Sequence, residues 1–304
     1  MVDKLHRVNE SKATYLVAAF AGVLSACGIA LIAYQRLHAP LTPGTLQELL
    51  ALSDKDLGRV DIARMNLICA AGLSNAGSNN VEQSLARIDG WAEAAKKAER
   101  KYLPNYYKAP SKYENSIAKF KAITLALTVK EDLKCGYNME LVRSGAMKDM
   151  GSTLFFNDSR DLFIHGFLER GTGTCASVPV LLVALGRRCG YPLYLVSGKG
   201  HLFCRWEGKD EVFNIEASMQ GVDIYVDSYY RTFPHPFTEA EREDEKYLKS
   251  HTPVEELGLF MNTRGNCLKE NGMFQKAAEA YTVSLRGFPK SKLTRAYINN
   301  AQRR

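Results

Sequence analysis

The sequence predicts an α+β protein, and three patterns carry that expectation. Apolar residues recur at helical spacing from Thr45 to about Val142. Short alternating segments between Leu193 and Ala217 read as strands. From Thr252 the spacing turns helical again. Of the 304 residues, 46% are hydrophobic and 24% charged, which is ordinary for a globular chain and argues against disorder. The net charge of +7 is spread out, with no dense Lys/Arg block interleaved with aromatics, so no nucleic-acid partner is expected.

The first element breaks the soluble pattern. No charge occurs from Ala13 to Gln35, and Tyr15 to Tyr34 is almost wholly apolar. As a helix this stretch would span about 30 Å, the thickness of a bilayer's hydrocarbon core. A Tyr stands at each end, and Lys4, Arg7 and Lys12 precede it while only Arg36 closely follows. The reading is a cytoplasmic leader over 1–13 and a transmembrane helix over 14–35. It implies a single-pass protein whose main domain is extracytoplasmic. A lipoprotein box at Leu24–Cys27 and a buried helix are the competing readings; the apolar run continues past Cys27, which weighs against lipidation.

Pro40 and Pro43 mark a linker, and a helical region over 45–150 follows. Leu46, Leu49 and Leu50 open it; Ile62, Met65, Ile68 and Cys69 continue it; Leu85, Ile88 and Trp91 form a stripe ended by Pro104 and Pro110. A further helix is expected from Tyr113 to Leu133.

After Gly151 the character changes. A Gly171–Thr174 loop runs into Val178–Leu185, apolar on every side and therefore a buried helix, stopped by Arg187, Arg188 and Gly190. Pro179 sets the start of continuous helix at Ser177 or Val178. Three strands follow, over 193–196, 201–206 and 211–217. A turn centred on Gly208-Lys209 would set His201 opposite Glu216. Leu202, Cys204, Trp206, Phe213 and Ile215 then share a core face, with His201, Phe203, Arg205, Asn214 and Glu216 on the other. The stretch from Gly221 to Glu243 reads as a long excursion.

In the helices of 252–304, Gly265, Leu268, Gly272, Ala277, Tyr281 and Pro289 fit the spacing of one tetratricopeptide-like unit. Such a unit is a possible surface for a protein partner; packing on the neighbouring domain accounts for it equally well.

The chemistry centres on Cys175. Taken alone, a cysteine here reads as a small buried hydrophobe. Its place between a glycine-rich loop and a helix start is one that favours thiolate, through N–H groups and the macrodipole. His201 supplies a base and Glu216 a group to orient it, with Asn214 as the competing orienter. The seven cysteines lack metal-ligand spacing, so neither zinc nor any other cofactor is expected.

The run GTGTCASVPVLLVALGRRCGYPLYLVSGKGHLFCRW, followed by FNIEAS, resembles the core of the transglutaminase-like superfamily. It is closest to a bacterial branch with preceding helices and a C-terminal tetratricopeptide-like segment. The resemblance implies a papain-like core over 151–235, with a central helix packed on an antiparallel sheet. It also implies Cys175 as nucleophile, His201 as base and Glu216 at a third position that is usually Asp. The combined expectation is a membrane-anchored cysteine hydrolase or acyltransferase acting on a protein or peptide substrate. The alternative is a non-catalytic binding module using the same groove and the C-terminal helices. The backbone N–H of Cys175 is the natural oxyanion donor.

Overall fold

The computed structural model describes residues 39–77, 80–143, 156–218 and 221–304. Thr42–Arg304 form one unit. Its first helices are α1 (Leu46–Ala51), α2 (Asp54–Leu57) and α3 (Ile62–Ala70). Thr45, Ser53 and Asp61 cap them, each side chain accepting an otherwise unpaired N–H of the first turn. Every residue of α3 is buried, Arg64 included, and Arg64 answers its burial with a two-pronged pair to Glu82 at 2.6 and 2.8 Å.

Helix α4 (Val81–Lys108) buries Leu85, Ile88, Ala92, Ala95 and Ala98 along one stripe. Pro104 does not end it, contrary to the sequence expectation. The proline is exposed and stands in the last turns, where its missing N–H forfeits one bond and its ring meets solvent. After a 3₁₀ turn at Pro110–Tyr113, α5 (Ile117–Leu127) starts later than expected because Ser116 caps it, and a π turn at Thr128–Asp132 ends it.

Strand β1 (Gly136–Tyr137) precedes α6 (Met139–Arg143), α7 (Ser159–Leu162) and α8 (His165–Arg170), and pairs in parallel with β2 (Thr172–Gly173). Helix α9 (Val178–Arg188) follows, buried from Val178 to Gly186 as its all-round apolar sequence requires. It packs on β3 (Leu193–Gly198) and β4 (His201–Glu207), and also on α3, α4 and α5. With β5 (Val212–Ser218) and β6 (Gly221–Tyr225) these strands make an antiparallel meander in the order β3-β4-β5-β6. The architecture is thus α+β, with helices packed on an antiparallel sheet.

The β4–β5 register differs from the expected one. Glu207 pairs with Val212, Trp206 with Phe213 and Cys204 with Ile215, so four residues, Gly208–Glu211, form the turn. Every pair is displaced by two, and a shift of two leaves each side chain on its expected face. His201 is therefore diagonal to Glu216 rather than opposite it.

The excursion after Gly221 begins with β6 and then covers the second sheet face. Helices α10 (Asp227–Tyr230) and α11 (Glu239–Asp244) lie in this return, and Val196, Phe203, Tyr230, Tyr247 and Leu248 form a core cluster. Tyr230 stacks on Phe203 with centroids 3.7 Å apart.

The chain ends in α12 (Pro253–Glu270), α13 (Phe274–Ser284) and α14 (Lys292–Gln302), with α12 on α13, α13 on α14, and α12 also on α3. Thr252 and Glu255 form a reciprocal capping box ahead of Pro253. Gly265 admits Tyr281, since a Cβ there would lie 2.4 Å from the Tyr281 ring.

One expectation is corrected here. Among the described residues no helix is long and apolar enough to cross a membrane. The 28-residue α4 is amphipathic, and the all-apolar α9 has only 11 residues, about 16 Å. The stretch 14–35 lies outside the described residues. The membrane anchor, the membrane partner and the single-pass placement are accordingly withdrawn.

Candidate active site

Cys175 sits in a turn pinned by its neighbours rather than in the helix. Ser177 and Val178 donate their N–H groups to the Thr174 carbonyl at 3.0 and 2.9 Å. The Thr174 N–H bonds Ser177 Oγ, and the Ala176 N–H bonds Thr174 Oγ1. Both hydroxyls donate to the Asp161 carbonyl, at 2.8 and 2.9 Å. The turn thus uses the N–H groups on either side of Cys175 and leaves that of Cys175 itself out of its bonding. Helix α9 begins only at Val178, so Cys175 precedes its first turn, where the macrodipole is already falling off. The environment of this thiol is set chiefly by His201.

His201 opens β4 after the two-residue turn Lys199-Gly200, in which Gly200 takes φ +78°. Its Nε2 lies 2.7 Å from Glu216 Oε2. With Nε2 engaged, the ring's hydrogen bond to the Cys175 thiol falls to Nδ1. The Phe233 ring meets the imidazole edge-on at 5.5 Å, and Phe203 and Tyr230 stand near its faces. Burial by itself disfavours the imidazolium, but the hydrogen bonds to Cys175 and Glu216, with their charges, outweigh it and push the pKa up to about 10.

Glu216 reaches the ring along a diagonal of the hairpin, which explains a Glu where a shorter acid would fall short. The same oxygen accepts the Tyr230 hydroxyl at 3.1 Å. Burial, then the Glu216 charge, holds the Tyr230 phenol well above its usual range, so it remains a donor. Asn214, the alternative orienter, is committed elsewhere: its Oδ1 accepts from Arg205 Nε at 2.8 Å and its Nδ2 donates to Asp227. The structure therefore brings Cys175, His201 and Glu216 together and leaves Asn214 out.

Cys175 and His201 share the wall of a cavity of about 210 Å³. Part of the remaining wall is supplied by α12, α13 and α14, which sequence reasoning had set apart as a separate segment. Tyr230 was also missed; its only sequence signal was a Tyr-rich stretch of no evident period. Tyr137, paired with Gly173, is a further neighbour, its phenol held well above the usual range by burial and then by Cys175 and Glu216.

The other thiols differ in kind. All six cysteines among the described residues are free. Burial pushes Cys135, Cys189 and Cys267 up to about 11, Cys69 to about 12 and Cys204 well above its ordinary value. Asp158 caps α7 and pairs with Arg160 and Arg170, and burial lowers His165 to about 4 beside Ser159. These two hold the approach to the Cys175 turn and do not line the cavity. Among the described residues no group of three or more His, Cys, Asp or Glu side chains could hold a metal ion.

Residues 142–257 match the transglutaminase-like superfamily, so a domain of that kind occupies this part of the chain. The matched segment runs from the end of α6 into α12 and contains Cys175, His201 and Glu216; the match itself assigns no role to any of them. Comparison with curated proteins and with solved structures returns no match.

Proposed function

We propose that Cys175, His201 and Glu216 form a thiol-based acyl-transfer centre acting on peptide or carboxamide bonds. The observation that carries the reading is the position of the His201 ring, bonded through Nε2 to Glu216 and facing Cys175 with its other nitrogen. An imidazolium so held stabilises a thiolate, the nucleophilic form of cysteine.

In the proposed reaction the Cys175 sulfur attacks the carbonyl carbon. The tetrahedral oxyanion is met by the Cys175 N–H, which the surrounding turn leaves unused. The C–N bond then breaks, His201 Nδ1–H protonates the departing amine, and a thioester remains. His201, now neutral, takes a proton from water or an acceptor amine as that nucleophile attacks. The C–S bond breaks and the proton on His201 restores the starting pair. Glu216 keeps the ring oriented throughout, and Tyr230 keeps Glu216 in place.

Competitive alkylation with iodoacetamide, read by peptide mass spectrometry near neutral pH, tests this. Cys175 is expected to react at least about tenfold faster than the five other described cysteines, whose thiols burial holds in the unreactive form. His201→Ala is expected to remove most of that preference. Equal reactivity of the cysteines, or indifference to His201→Ala, sinks the reading.

A further inference from the structure

The cavity beside Cys175 carries more polar equipment than the acyl-transfer step uses. Ser284 of α13 lines it, is only 1% exposed, and its Oγ has no hydrogen-bond partner among the described residues. A buried hydroxyl without a partner is uncommon and calls for one that arrives with a ligand.

Beside it, α12 contributes a short ladder. Tyr281 donates its hydroxyl to Asn266 Oδ1 at 2.8 Å, Asn266 Nδ2 bonds Asn262 Oδ1 at 3.4 Å, and Asn262 Nδ2 bonds Thr294 Oγ1 at 3.2 Å. Both amide oxygens are thus engaged, while each amide nitrogen has used one of its two hydrogens. The surplus is in donors. Apart from His201 and the Cys175 thiol, the one ionisable acid or base on the wall is Glu245, which accepts the Leu293 N–H at 3.2 Å and disfavours an anion. Leu259, Phe260 and Phe288 make the rest of the lining largely apolar. At about 210 Å³ the space exceeds the roughly 150 Å³ that accepts a benzene ring, so it takes more than one small side chain.

We propose that Asn262, Asn266 and Ser284 form a subsite that binds main-chain carbonyls of an uncharged peptide segment flanking the bond attacked at Cys175. The proposal rests on the acyl-transfer reading and gives it a substrate class. It also makes the C-terminal helices a wall of the site, so that specificity is set outside the strands and the turn that carry the reacting groups.

The test uses the full chain and two electrophiles, iodoacetamide and an acetylated tripeptidyl chloromethyl ketone with neutral side chains. For each protein the readout is the ratio of their second-order rate constants at Cys175. Asn262→Leu, Asn266→Ala and Ser284→Ala are each expected to lower that ratio about tenfold, the effect of one lost hydrogen bond. Placing an Asp in the tripeptide is expected to lower it in the unaltered protein. Thermal melts establish that each variant is folded; should Ser284→Ala fail to fold, the two α12 variants carry the test. A ratio unchanged in the folded variants overturns the subsite while leaving the acyl-transfer reading standing. Loss of iodoacetamide's preference for Cys175 in the unaltered protein overturns that reading, and the subsite with it.

Discussion

Glu216→Gln isolates the electrostatic part of the site. Gln keeps the length of the side chain and an oxygen for the His201 and Tyr230 donors, but removes the negative charge. The two groups are in contact at 2.7 Å with side chains only 9% and 10% exposed, so solvent screens their attraction little. An opposite charge at such range moves a pKa by about one to three units, equivalent to about 1.4–4 kcal/mol. His201, now held at about 10, is therefore expected to fall by that amount. Its folded value lies above its ordinary 6.5, so protonation of His201 stabilises the fold fully below about pH 6.5. That contribution is lost as pH rises through about 10. The variant's stability deficit should accordingly be largest near pH 6 and shrink toward pH 10. An NMR titration of isotope-labelled histidine, with urea unfolding at several pH values, measures both quantities. If His201 titrates at the same pH in both proteins, the carboxylate does not set the charge of the ring and the argument is wrong.

Two further substitutions test the packing that positions the site. Arg187 of α9 grips Glu256 of α12 at 2.6 and 3.2 Å, and that carboxylate is 1% exposed. Arg187→Met strands a buried charge and is expected to lower stability by about 3 kcal/mol; Glu256→Met in the same chain should restore most of it, and a loss under about 1 kcal/mol by urea unfolding counts against the pair's role. Gly265→Ala places a methyl 2.4 Å from the fully buried Tyr281 ring and is expected to remove about 1–3 kcal/mol. An unchanged melting temperature would mean that α12 and α13 are less tightly apposed than the Tyr281 contact implies.

Much of this protein was legible in its sequence because the relevant signals are local. The apolar run 178–185 could only be a buried helix, and Pro179 correctly set its start at Val178. Strand alternation put His201 and Glu216 on one face even though the assumed turn was two residues too short, since the period of a strand forgives an even slip. Other inferences failed for physical reasons equally local. Pro104 was read as a breaker, but near the exposed end of a long helix it forfeits a single bond. The Tyr-rich stretch after Gly221 showed no useful periodicity because its residues cover a sheet face from a loop and short helices, where no repeat is imposed. Hydropathy over 14–35 suggested an anchor, and no helix among the described residues supports one.

The sequence by itself determined the helical regions, the two faces of the central hairpin and the residue types available for chemistry. These follow from spacing along one strand or helix and need no knowledge of what packs where. Only the tertiary structure decided that Glu216 rather than Asn214 meets His201, because Arg205 and Asp227 claim Asn214 from distant turns of the chain. Only it brought Tyr230 beneath Glu216, and Asn262, Asn266 and Ser284 around the cavity of Cys175. Such contacts join segments tens of residues apart, and they exist only once burial of the helices and sheet has closed the intervening loops.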